Sequence, residues 1–270
     1  MLFSLHAGNL NLKQYSAVQL TPLGYKKISR GREKKAYPHQ WCVALAWFIS
    51  AVIPARHWYK AALKSTLVTA SVLSLFRKNK PAFRLTRANH LNRLLSLLTR
   101  TDTPFHIPYR NYGMEILHGA SGTIFCSVHL PLAKVSIRAM VEQQIPINAA
   151  ITGARLPDGK MSLFGSEEKI PAIFGDAFVL VKAKKVLDRG GNVILMIDRY
   201  SNDKLSPNIM HFCGKIDARM VFYFSHLKRD GIIDNIYTEA PYPGCKNETE
   251  IKENIAFLKR KTAEIIAEMN

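Results

Sequence analysis

Acidic residues are scarce in this chain. Its 270 residues include 20 Asp and Glu against 38 Lys and Arg, for a formal charge of +18. Such an excess attracts anionic partners: nucleic acid, an anionic lipid surface, an acidic carrier protein or a phosphate-bearing substrate. Charge by itself does not choose among them. Nucleotide signatures are missing, since no Gly-x-Gly-x-x-Gly follows a strand and no phosphate-loop lysine motif occurs, which argues against a nucleotide enzyme. Cysteine is sparse and scattered: Cys42, Cys126, Cys213 and Cys245 form no Cys-x-x-Cys pair and no Cys/His zinc spacing. Reduced, buried thiols in a cytosolic compartment are expected, with no metal. No secretory leader is expected, because Met1 opens a mixed, partly polar stretch. The apolar run Trp41 to Ala55 is shorter than the roughly 20 residues that cross a bilayer. It is expected either to dip into a membrane or to join the core.

Apolar residues make up 47% of the chain, ample for a buried core, and no linker, repeat or low-complexity tract divides it. The expected organisation is a basic, loosely ordered segment over 1–40 and a single α/β domain over 41–270, whose region 41–100 is helical and membrane-associating. Lys26, Lys27, Arg30, Arg32, Lys34 and Lys35 precede the tryptophan-containing run. That order suits a protein resting on anionic headgroups, and it equally describes a solvated charge run. Helical spacing continues from Arg56 to Leu98, with Pro81 separating two helices.

Beyond residue 120 short apolar runs alternate with amphipathic stretches, the pattern of an α/β domain. Strands are expected at Thr123–Val128, Ile145–Thr152, Asn192–Asp198, Met220–Phe224 and Ile232–Tyr237. Helices are expected from Pro131 to about Gln144, from Ala177 to Asp188 and from Thr249 to Met269. The wholly apolar Asn192–Asp198 run belongs in the centre of a mixed, largely parallel sheet flanked by helices. Gly119-Ala-Ser-Gly122 has its glycines one residue too close around Ser121 for a nucleophile elbow and reads as a loop.

Ser127-Val128-His129-Leu130-Pro131 carries the chemistry: a histidine where a buried strand ends and a helix begins. Active-site residues of open α/β sheets gather at that edge. A neutral imidazole there can take the proton of an attacking hydroxyl, although many such histidines only cap or pack.

From Gly122 to about Pro241 the order of features resembles the lysophospholipid acyltransferase superfamily, especially its lipid A late-acyltransferase branch. GTIFCSVH matches the family's strand ending in histidine, at His129. KAKKVLDRGGNVILMIDR matches a helix, glycine turn and apolar strand ending in aspartate, at Asp198. HFCGKIDARMVF aligns Phe212 and Gly214, and KRDGIIDNIYTEAP completes the order. The resemblance covers a little under half of the chain. It departs at the family's acidic position four residues beyond the histidine, here Lys134. A carboxylate would hold the imidazole tautomer, whereas a lysine disfavours imidazolium. Either another carboxylate substitutes, Asp198 before Glu115 or Asp176, or the chemistry is weak or lost.

The resemblance implies transfer of a fatty acyl group from a thioester, on acyl carrier protein or coenzyme A, to a hydroxyl or amine of a lipid or glycolipid. His129 and Asp198 are the catalytic candidates. Asp198 also reads as a loop cap. Lys134, Arg155 and Arg199 are the substrate-binding candidates, although surface exposure is the simplest explanation of Lys134 and alone accounts for most such arginines in a chain this basic. No tightly bound cofactor is expected. The expected location is the cytoplasmic face of an inner membrane, peripheral or monotopic. A catalytically silent relative that binds lipid or an acidic carrier is the alternative. Nucleic-acid binding is weaker, because no stacking aromatics accompany the basic residues.

Overall fold

A strand apolar on both faces is stable only where both faces are covered, and residues 123–127 and 192–196 meet that condition. The computed structural model describes residues 38–76, 83–151, 158–174, 178–197, 205 and 207–269. Helices α1 (Pro38–Val52), α2 (Trp58–Phe76) and α3 (Phe83–Leu98) come first, followed by strands β1 (Tyr109–Tyr112) and β2 (Thr123–Ser127). Next come α4 (Ala133–Glu142), β3 (Ile147–Ile151), β4 (Lys160–Ser162), β5 (Lys169–Phe174), α5 (Val179–Leu187) and β6 (Asn192–Met196). The chain closes with α6 (Asn208–Ile216), β7 (Arg219–Leu227), β8 (Ile233–Glu239) and α7 (Glu248–Glu268).

The strands form one sheet in the order β1-β8-β7-β2-β6-β3-β5-β4. Neighbours are parallel except at β7 with β8 and β5 with β4, which are antiparallel. The expected mixed α/β class with a mostly parallel sheet is therefore what the chain adopts. Successive residues of a strand face opposite sides, and β2 divides accordingly. Ile124 and Cys126 pack with apolar residues of α5, α6 and α7, while Phe125 packs with Ala133, Ile137 and Met140 of α4. A buried polar group also ties α4 down. The Ser136 hydroxyl donates to the Phe224 carbonyl at 2.8 Å, and the Tyr237 hydroxyl donates to the Ser136 carbonyl at 2.8 Å.

The strand starts are held by Asn192, whose Oδ1 accepts from the Thr123 amide at 3.0 Å while its Nδ2 donates to the Ala120 and Pro146 carbonyls. At the other edge, where the parallel strands end, α2 and α3 close over the sheet. The Tyr59 hydroxyl donates to the Gly231 carbonyl in the β7–β8 turn, and Asn92 of α3 reaches the turn after β2.

Several expectations shift. Pro131 does not open α4, which begins at Ala133. β1, β4, β5 and α6 are additional elements. The expected segment 1–40 lies outside the described residues except for its last three, as does Pro81. The Trp41–Ala55 run both joins the core and faces outward. Cys42, Ala46 and Ile49 of α1 are buried, while Trp47, Phe48 and Val52 are 59%, 50% and 61% exposed. Among the described residues no helix is long and apolar enough to cross a membrane.

Gly214, in α6, sits where a Cβ would lie 2.2 Å from the Cys245 carbonyl oxygen. That oxygen belongs to backbone and cannot swing aside. Gly214→Ala is expected to destabilise the fold by about 1–3 kcal/mol in urea unfolding, despite the better helix propensity of alanine.

Candidate functional site

His129 lies just past the end of β2, at the edge where β3, β5, β6 and β7 also end. It is partly exposed there. The turn that carries it is tightly built. The Leu130 amide donates to the Val128 carbonyl at 2.6 Å, and the Leu132 amide donates to Asn92 Oδ1 at 2.9 Å. Leu132 is fully buried yet adopts φ +69°, a left-handed conformation that is rare for a bulky side chain. Such strain persists only where surrounding contacts over-determine it, and it clusters at active sites and clamps. Leu132 caps α4 with no side-chain acceptor, and α4 has no acidic residue in its first turn. The positive end of the helix thus faces the His129 turn without a carboxylate of its own.

Asp198, Arg155 and Arg199 lie outside the described residues, as does Asp176. The strand leading to position 198 is described. Ser127, two residues before His129, is in register with Met196, two residues before 198, and the Ile197 amide donates to the Ser127 carbonyl at 2.9 Å. Glu115 is ruled out as a partner of His129 by topology. β1 runs parallel to β8, which runs against β7 and β2, so the chain leaves β1 toward the opposite edge of the sheet.

Lys134 is not the exposed lysine that a surface reading expects. Its Nζ donates to the Ser162 carbonyl at 3.2 Å and lies 5.5 Å from the centre of the Phe164 ring. Burial first, and the positive Arg100 second, push its pKa down to about 8. Arg138, one turn on, donates to the Phe105 and Phe164 carbonyls at 3.1 and 2.9 Å. The two cations thus pin α4 to the end of β4 and the residues just after it.

Two further features at this edge leave no signal in the sequence. Asn92 sits in an ordinary helical stretch and nothing marks it as the acceptor for a turn 40 residues away. A cleft of about 630 Å³ opens beside the β7–β8 turn, lined by Arg110, His226, Lys228, Asp230 and Glu268 among others. His129 is not among its lining residues. Arg110 is held by Asp234 at 2.8 Å and Asp230 at 3.3 Å, and a hydrogen bond from Lys228 keeps the Glu268 carboxyl below its usual range. The cationic groups of this cleft are therefore largely matched by carboxylates. Among the described residues no cluster of histidine, cysteine and carboxylate could hold a metal, and all four cysteines are buried, free thiols.

No family model and no curated protein matches the chain. The site is therefore read from its own geometry: a histidine on a strained turn, facing a helix start, at the open edge of a mostly parallel sheet.

Lys134 makes a pH-dependent contribution of definite sign. Its folded pKa lies below the unfolded one, so between about pH 8 and 10.5 the unfolded chain binds more protons and wild-type stability gains as pH rises. Against Lys134→Met, which does not titrate there, wild type is expected to gain on the order of 3 kcal/mol across that window. Parallel urea titrations at pH 7 and pH 10.5 measure it; a constant difference between the two proteins would contradict the assignment.

Proposed function

We propose that the chain is a member of the lysophospholipid acyltransferase superfamily, of the lipid A late-acyltransferase type. In this reading it moves a fatty acyl group from an acyl thioester, on acyl carrier protein or coenzyme A, to a hydroxyl or amine of a lipid or glycolipid. The observation that carries the reading is His129 on its left-handed turn, at the sheet edge where the chain enters α4. His129 takes the proton of the acceptor as its oxygen or nitrogen attacks the thioester carbonyl. The amides at the start of α4 stabilise the oxyanion, and the imidazolium returns the proton to the departing thiolate. Asp198 is the carboxylate proposed to orient the imidazole, supported by the register of β2 with β6. Arg155 and Arg199 are proposed to bind phosphate groups of the substrates. The chemistry calls for no metal and no tightly bound cofactor.

The acceptor of such a reaction is an amphiphile, and the outer face of α1 offers a means of reaching it. Trp47, Phe48 and Val52 project from a helix with no Lys, Arg, Asp or Glu. Exposed Arg56, Lys60 and Lys64 follow it in the chain. An apolar face beside cations suits the cytoplasmic leaflet of an anionic inner membrane, entered from one side.

One observation favours a second reading. Lys134, at the family's acidic position, is committed to the Ser162 carbonyl and occupies a largely buried site. A catalytically silent relative that binds lipid or an acidic carrier would tolerate that loss.

Radiolabelled acyl thioester supplied with membrane lipids separates the two. Acyl transfer by wild type, reduced roughly 10²–10⁴-fold in His129→Ala, is the expected outcome. Equal and negligible transfer by both proteins would remove the enzymatic reading and leave the binding one. In flotation with phosphatidylglycerol vesicles, Trp47→Asp/Phe48→Asp is expected to lose most of the wild-type recovery, and unchanged recovery would exclude α1 as the membrane contact.

A further inference from the structure

Helix α5 presents a second exposed surface, which begins near the His129 edge and which the proposed mechanism leaves unused. Phe178 at the N-cap and Lys182 and Lys185 within α5 recur at intervals of four and three residues and are all exposed, which sets them in one row along the helix, and exposed Arg189 lies in the turn just beyond it. The opposite side of α5 is settled by packing, since Val179, Ala183 and Leu187 are buried in the core. Phe178 and Val181, at the start of the row, are 70% and 54% exposed. Lys184 is neutralised by Asp188 at 2.6 Å, and Lys182 also donates to the Phe174 carbonyl. Among the described residues no carboxylate is paired with Lys182, Lys185 or Arg189.

The orientation of this row decides what it fits. β5 runs parallel to β3, β3 to β6 and β6 to β2, so β5 ends at the His129 edge. α5 starts a few residues later and runs back along the flank of the sheet, about 10 Å from Phe178 to Lys185 at helical rise. A bilayer approaching the His129 edge meets only the end of α5, whereas a soluble partner beside the domain meets its whole length. We infer that this row is the docking face for an acidic carrier protein that brings the acyl thioester to the His129 edge. Cations that no carboxylate pairs with among the described residues complement an acidic helix, and Phe178 and Val181 give the thioester arm an apolar surface where it turns toward His129. The identity of the partner rests on the acyl-transfer reading; the existence of the docking face does not require turnover.

The test is fluorescence anisotropy with the full chain and a dye-labelled acyl carrier protein loaded with a dodecanoyl thioester. Wild type is expected to bind, more weakly as salt rises. Lys182→Glu/Lys185→Glu is expected to weaken binding roughly tenfold or more, while the same change in net charge on α7, Lys252→Glu/Lys259→Glu, shifts it by no more than about twofold. Equal weakening by both pairs would reduce the effect to the general field of the protein and overturn the inference, as would an absence of carrier binding by wild type. Loss of retention on anionic vesicles or DNA, with carrier binding intact, would also overturn it by assigning the row to another partner. The two readings separate cleanly. Carrier binding that depends on α5, without any acyl transfer, keeps the docking face and removes the enzyme; His129-dependent transfer with an unchanged KM for the carrier in the α5 variant does the reverse.

Discussion

Strand β2 is hydrogen-bonded in parallel on both sides, to β7 and to β6, and is buried along its full length. A strand held this way cannot slip, because a one-residue shift would exchange Phe125 with Ile124 and Cys126 between two differently shaped layers. The end of β2 is therefore a fixed point. Asn92 and the left-handed Leu132 extend that rigidity into the turn bearing His129, so a partly exposed imidazole is delivered from a frame with no freedom of its own.

Lys134 shows how the same frame limits chemistry. A carboxylate in the first turn of α4 would be favoured by the helix dipole and would complement an imidazolium. The lysine is disfavoured by both the dipole and burial, and its ammonium is retained through the Ser162 carbonyl and the Phe164 ring. What this position contributes is a tie between α4 and the end of β4, alongside Arg138.

Legibility in the sequence followed physical signal strength. β2, β6, α5 and α7 were readable because uninterrupted apolar runs and helical spacing leave few alternatives, and their expected bounds fall within a few residues of those found. β1 and β4 are short edge strands of polar residues, YRNY and KMS, that owe their pairing to their neighbours. β5 contains Pro171, which removes an amide donor and hides a strand signal. α6 was obscured by Gly214, which is there because the Cys245 carbonyl leaves no room for a side chain. At the candidate site, the strand-to-helix setting of His129 is legible in the sequence. Its support from Asn92 is not, because a contact between a helix and a turn 40 residues later leaves no local pattern. Glu115 could be set aside only once the reversed direction of β1 and β8 was known.

The placement of β2 between late-arriving partners also governs the order of assembly. β6 begins at Asn192 and β7 at Arg219, so neither neighbour of β2 exists until most of the chain has been synthesised. Non-local pairing of this kind makes closure of the sheet slow. Throughout that interval α1, α2 and α3 have already emerged from the ribosome with the apolar faces that will later meet the sheet still uncovered. The nascent chain therefore passes through a stage in which those apolar faces are exposed and prone to aggregate until β6 and β7 arrive.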